Sequence, residues 1–163
     1  MNTEKELKEY LDFVLWHYAA IDGFWFLGVS EAVGQKKAEE IVETVWRNAA
    51  KLAARETVRR FGITERGVPA VAKALKLFPM AAVVGYQFDE TPEGLVLTVP
   101  HCSAQEARLR HGQGEFVCKP MHMALFRAFA AEIDPSVDVE CLFAPPDPHP
   151  KDLFCKWRFT TEA

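Results

Sequence analysis

Hydrophobic positions recur at two different periods along this chain, and the change of period divides it. Leu7, Leu11, Val14, Tyr18 and Ile21 follow one another at intervals of three and four, the signature of one apolar helix face, which predicts a first helix up to about Gly23. Phe24-Trp25-Phe26-Leu27 continues the apolar surface into a short second helical turn ending near Gly34. A long third helix is predicted from the stripe Ala38, Ile41, Val42, Val45, Trp46, Ala49, Leu52 and Ala53, with Gly62 as its stop. Gly67 to Leu77 reads as a fourth helix, closed by Pro79.

Beyond that point the pattern alternates. Ala81 to Phe88 and Leu95 to Val99 are rich in strand-forming residues and flank Asp89-Glu90-Thr91-Pro92-Glu93-Gly94, which is turn chemistry. A helix returns between Cys118 and Asp134, with Pro120 suited to its first turn and Met121, Leu125, Phe126, Phe129 and Ile133 as its buried stripe. Two last strands, Val137 to Phe143 and Leu153 to Thr160, flank a proline-rich loop from Ala144 to Pro150. The expected fold is therefore α+β: N-terminal helices over residues 1–79, then a β-β-α-β-β antiparallel sheet over 80–163, in a single domain. At this length a domain buries roughly 70% of the surface its unfolded chain exposes and needs no staple.

Charge narrows the classes of partner. Nineteen Lys and Arg against 23 Asp and Glu give a net charge of -4, without the basic excess that phosphate neutralisation requires, so no nucleic-acid partner is expected. The polar start Met1-Asn2-Thr3-Glu4-Lys5-Glu6 has neither a secretory nor a transit character, which predicts a cytoplasmic protein with reduced thiols. His17, Asp22, Gly23 and Gly28 interrupt the apolar run from Phe13 to Val29, so no membrane span is expected.

Chemistry concentrates in four cysteines, Cys102, Cys118, Cys141 and Cys155, each at the edge of a predicted element. No CxxC knuckle occurs, so a joint site must be assembled by the fold. Alternation puts Val137, Val139, Cys141 and Phe143 on one strand face and Leu153, Cys155, Trp157 and Phe159 on another, so both cysteines face one core. Four thiolates bind Zn²⁺ tetrahedrally or hold an iron-sulfur cluster, with His101, Glu140 or His149 able to substitute for one of them. Buried inert thiols and a disulfide are the competing readings. Cys118 also qualifies as a nucleophile, its thiol pKa lowered at a helix N-terminus, with His122 or His101 as base and Glu115 or Asp147 to orient it. A helix-cap thiol is the structural counterpart of that reading.

Aromatic residues, twelve Phe, four Trp and three Tyr, crowd the first helices. Asp22 lies among them near Trp25 and His17, which defines a candidate small-molecule pocket with one polar anchor; a helix cap at Asp22-Gly23 is the alternative. The long helix Gln35 to Phe61 is a further candidate, for a homodimer interface.

The stretches Val29-Ser30-Glu31-Ala32-Val33-Gly34, Val45-Trp46, Cys118-Lys119-Pro120, Pro145-Pro146-Asp147-Pro148-His149-Pro150 and Cys155-Lys156-Trp157-Arg158-Phe159 carry a resemblance over nearly the whole chain. They resemble a bacterial and archaeal family related to the L-2-amino-thiazoline-4-carboxylic acid hydrolase-like proteins. From about Ala81 onward the chain is more distantly similar to the 4-vinyl-reductase domain, a small-molecule sensor fold. The first resemblance implies hydrolysis of a cyclic amidine. The second implies a zinc site in which Cys118 and Cys155 match two ligands and Cys141 or Glu140 replaces an acidic one. Ala144 stands where a further cysteine is expected, leaving Cys102 or His149 to complete the shell.

Overall fold

The computed structural model describes residues 3–161. The chain divides into two compact units, with the boundary between Glu40 and Ile41.

The first unit is dominated by one helix, α1 (Glu4–Val33), rather than by a helix and a separate turn. A capping box starts it: Thr3 Oγ1 accepts from the Glu6 N–H, and Glu6 Oε2 accepts from the Thr3 N–H, each at 3.2 Å. Gly23 and Gly28 lie inside the helix, where each costs about 1 kcal/mol relative to alanine. The continuous i, i+3, i+4 apolar spacing carries the helix through them. It ends at Gly34, whose φ of 84° is left-handed territory that other residues avoid. No residue of α1 is buried. Among the described residues no helix is long and apolar enough to cross a membrane.

The second unit holds the core. Helix α2 (Gln35–Phe61) contributes Trp46, Ala50 and Ala54, spaced by four, while Val45 and Leu52 of the expected stripe are exposed. The expected stripe holds at Ala38 and Trp46, which are buried, and at Val42 and Ala53, which pack against the core; Ala50 and Ala54, small and weak in hydropathy, replace Ala49 and Leu52 on the buried line. After α3 (Gly67–Lys76), Pro79 does not stop a helix; it opens a short one, α4 (Pro79–Val84), that Gly85 ends with φ 75°. The strand expected from Ala81 therefore begins only at Gln87.

Strands β1 (Gln87–Thr91) and β2 (Gly94–Val99) form a hairpin as expected, but Asp89, Glu90 and Thr91, expected in the turn, lie in β1 and only Pro92-Glu93 connects the strands. A helix not foreseen as an element, α5 (Ser103–Arg110), precedes α6 (Lys119–Ile133), and β3 (Val137–Phe143) and β4 (Cys155–Thr161) follow. The sheet order is β1-β2-β4-β3 and every neighbouring pair is antiparallel, so the fold is α+β as expected.

Alternation selects the inward face: Leu95, Leu97 and Val99 from β2, Val137 and Val139 from β3, and Cys155, Trp157 and Phe159 from β4 are buried. Helix α6 covers them with Phe126, whose ring meets Trp157 at 5.2 Å and Phe159 at 5.6 Å between centroids, both edge-on. Two polar links fix the helices around this core. The Gly67 N–H at the start of α3 donates to Asp134 Oδ2 at 2.8 Å, just past the end of α6. Arg55 of α2 pairs with Glu132 of α6 at 2.8 Å.

Candidate metal centre

Each cysteine owes its position to a separate element. Cys102 is the N-cap of α5 and Cys118 the N-cap of α6. Cys141 lies in β3 opposite Trp157, just before a bulge, and Cys155 opens β4 opposite Val99. All four thiols are free.

Two tethers bring these element ends together. Gln105, buried in α5, donates from Nε2 to the Phe116 carbonyl and accepts at Oε1 from the Phe116 N–H, both at 2.8 Å, which holds the segment before Cys118 against α5. The proline-rich loop between β3 and β4 closes over the same end. Pro145 accepts from the Lys119 N–H at 3.1 Å, Asp147 pairs with Lys119 Nζ at 2.7 Å, and the Phe154 N–H donates to the Val99 carbonyl at 2.9 Å.

Burial pushes the Cys155 thiol up to about 12; the Trp157 indole opposes this, and Cys118, Cys102 and Cys141 add to it. Burial likewise pushes Cys118 up to about 12, reinforced by Cys102 and Cys141 and opposed by a hydrogen bond from Gln105 Nε2 at 3.5 Å. Cys102 is raised by burial against the backbone N–H groups of Ala104 and Gln105. Cys141 is raised by burial against the Lys119 ammonium. Every sulfur thus faces an N–H donor or cation that favours its thiolate, inside surroundings that keep it protonated. Among the described residues, no three His, Cys, Asp or Glu side chains stand as a formed metal cage.

The alternative ligands are engaged elsewhere. Glu140 pairs with Arg158 at 3.1 Å, both side chains largely exposed. His101 is exposed and lies 3.4 Å from Glu106. His149 meets Glu115 at 3.0 Å.

The expectation of an activated Cys118 is corrected on its premise, since desolvation outweighs the helix terminus and the thiol pKa rises instead of falling. Cys118 is the N-cap, but its side chain makes no capping hydrogen bond. His122 faces the Cys118 carbonyl with Nδ1 at 3.2 Å and packs beside Phe126 and Trp157. Burial lowers its pKa to about 4, so the ring is neutral and its Nδ1–H is committed to backbone. Glu115 and Asp147 bind His149 and Lys119 rather than orienting that histidine.

The residues expected to line a pocket lie in the other unit, on α1. Asp22 falls mid-helix, which removes the cap reading; it is half-buried, and burial raises its carboxyl pKa. Trp25 is 70% exposed, and His17 stacks on Phe13 at 6.0 Å. These side chains stand on an open helix surface. A groove of about 450 Å³ lies instead beside the proline-rich loop, lined by Glu115, Pro146, His149, Lys151 and Phe154 among others.

Gln105 and Trp157 are the supporting residues that the sequence did not single out as such. Gln105 carries no pattern signal, while Trp157 was legible only as a core residue; its buried indole N–H makes no conventional hydrogen bond.

The architecture defines an α+β protein whose four cysteines sit on elements that end at one end of an antiparallel sheet. Within that class, the chain belongs to a family of unknown function (DUF6125), whose model matches residues 3–161. No curated protein and no solved structure matches it.

Proposed function

We propose that this chain is a metal-binding protein in which Cys102, Cys118, Cys141 and Cys155 hold a zinc ion, with an iron-sulfur cluster as the alternative occupant. One observation carries the reading: four cysteines stand at the ends of four elements, Cys102 and Cys118 as the N-caps of α5 and α6, Cys141 beside the β3 bulge and Cys155 at the start of β4, around one end of the sheet. The donors around them fit such a group. A neutral thiol is a weak acceptor, whereas a metal-bound thiolate gains from the Gln105 amide, the Trp157 indole, the α5 backbone N–H groups and the Lys119 charge. Zinc supplies the positive charge that stabilises four thiolates, and loading it expels the thiol protons. Free thiols without a disulfide suit a reducing compartment, which supports a cytoplasmic setting. A small ligand would then be received in the groove beside the loop, over Phe154 and next to Lys151.

The test is elemental analysis of the full chain purified without chelator or added metal, with thiol titration before and after denaturation. Near one zinc per chain, protected thiols and a loss of metal in each single Cys→Ser variant are expected; strong visible absorbance would mark a cluster instead. A metal content near zero with four freely titratable thiols removes the proposal. Turnover of a thiazoline carboxylate that is lost in Cys118→Ala without loss of fold would replace it with the hydrolase reading.

A further inference from the structure

We infer that α1 pairs antiparallel with the α1 of a second copy of this chain, along the seam Leu7, Leu11, Val14, Tyr18, Ile21 and Trp25. These positions are spaced 4-3-4-3-4 from Leu7 to Trp25, a heptad spacing that aligns them as one stripe along that part of the helix. All six are exposed, by 40% to 70%. Lys5, Glu9 and Asp12 lie on the opposite side together with Phe13 and Trp16, and there Lys5 and Glu9 pair at 3.8 Å.

Self-complementarity argues for a second copy as the occupant. Turned end for end about a two-fold axis near Trp16, the seam matches itself layer by layer: Leu7 meets Trp25, Leu11 meets Ile21, and Val14 meets Tyr18. Trp25 and Tyr18 each face a smaller side chain, and Leu11 faces one of its own size, so no layer is crowded. A parallel pair would instead set Trp25 on Trp25 and Val14 on Val14, crowding one layer and leaving another slack.

Charge fixes the same register. Lys8 and Asp22 flank the seam on one side, and in the antiparallel pair Lys8 of each copy lies beside Asp22 of the other. Asp22 is half-buried, and among the described residues no cation pairs with it. The opposite flank brings Tyr10 of one copy to Phe24 of the other. Seam and aromatic flank together expose eight large apolar side chains on one stretch of helix, to be set against the ~800 Å² per partner of a stable interface.

Sedimentation equilibrium of the full chain at micromolar concentration tests this. A dimer is expected, and Ile21→Asp is expected to yield a monomer of unchanged helicity by circular dichroism. The charge pair keeps the test open if that variant does not fold. Lys8→Asp or Asp22→Lys alone should weaken association by ~10-fold or more, and the double exchange should restore it. Mixing the two single variants should give a heterodimer preferred over either homodimer. A monomer up to ~100 µM, on the affinity scale of specific association, overturns the inference. So does a double exchange that fails to restore binding, or a monomer that instead binds phosphatidylcholine vesicles through α1.

Discussion

His149 and Glu115 are joined by a 3.0 Å contact between Nε2 and Oε1, while His149 Nδ1 lies 2.8 Å from the Pro150 carbonyl oxygen. Both partners are acceptors, so only the imidazolium, with two N–H groups, satisfies both. Burial alone would lower the His149 pKa, but the Pro150 carbonyl and the Glu115 carboxylate outweigh it and the pKa is raised. A raised folded pKa stabilises fully below the unfolded value of about 6.5 and ceases to do so as pH climbs through the folded one. The thermal midpoint of the wild type should therefore exceed that of His149→Gln at about pH 6, with the gap closing by about pH 9. A gap that widens with pH would contradict the two-acceptor arrangement.

The metal-free thiols set the alkaline limit. Cys118 and Cys155 are both pushed up to about 12 by burial, whereas an unfolded thiol ionises near about 8.5. The unfolded state gains thiolates first, so metal-free stability should fall progressively above about pH 8.5. Urea midpoints from pH 7 to about 10 check this, and the Cys118→Ser, Cys155→Ser double variant should show a shallower decline.

Gly94 has φ 144°, and a Cβ there would stand 2.2 Å from the Phe159 carbonyl oxygen, a backbone atom of the neighbouring strand. Gly94→Ala should cost at least the ~1–3 kcal/mol of a strained backbone position, because β2 and β4 would have to separate as well. A urea midpoint equal to the wild type would show that the hairpin yields without cost.

Phe126 is fully buried among Trp157, Phe159 and Tyr86. Phe126→Ala should cost about 3–5 kcal/mol, as for other large aromatic truncations in cores. Leu52→Ala, at a position 62% exposed in α2, should move the midpoint by less than ~0.5 kcal/mol equivalent. Reversal of that order would mean that the buried line of α2 runs through Leu52 after all.

Local pattern made much of this fold legible. The hairpin, α6, β3 and β4 each followed from period and turn chemistry, and β3 and β4 turn their alternate residues inward as expected. Errors fell where one residue type has two uses. Pro79 can close a helix or open one, and the N-cap role of Phe78 is decided by tertiary packing. Gly23 and Gly28 look like stops but sit within α1, where the apolar repeat on either side overrides them. On α2 the expected stripe holds at Ala38, Val42, Trp46 and Ala53 but misses Ala50 and Ala54, whose small side chains carry little hydropathy. Among the site residues, the two cysteines on strands were positioned by alternation. The thiol pKa of Cys118 was misjudged because desolvation depends on what covers a helix end, which no local pattern records.

The strand order β1-β2-β4-β3 puts the strand that comes fourth along the chain between two earlier ones. Neither β2 nor β3 can find its inner neighbour until Cys155–Thr161 has left the ribosome, and Trp157 and Phe159 arrive with it. Until then the hairpin and β3 present bare edges, so nascent chains stalled before Cys155 should depend on chaperone protection far more than chains that include β4.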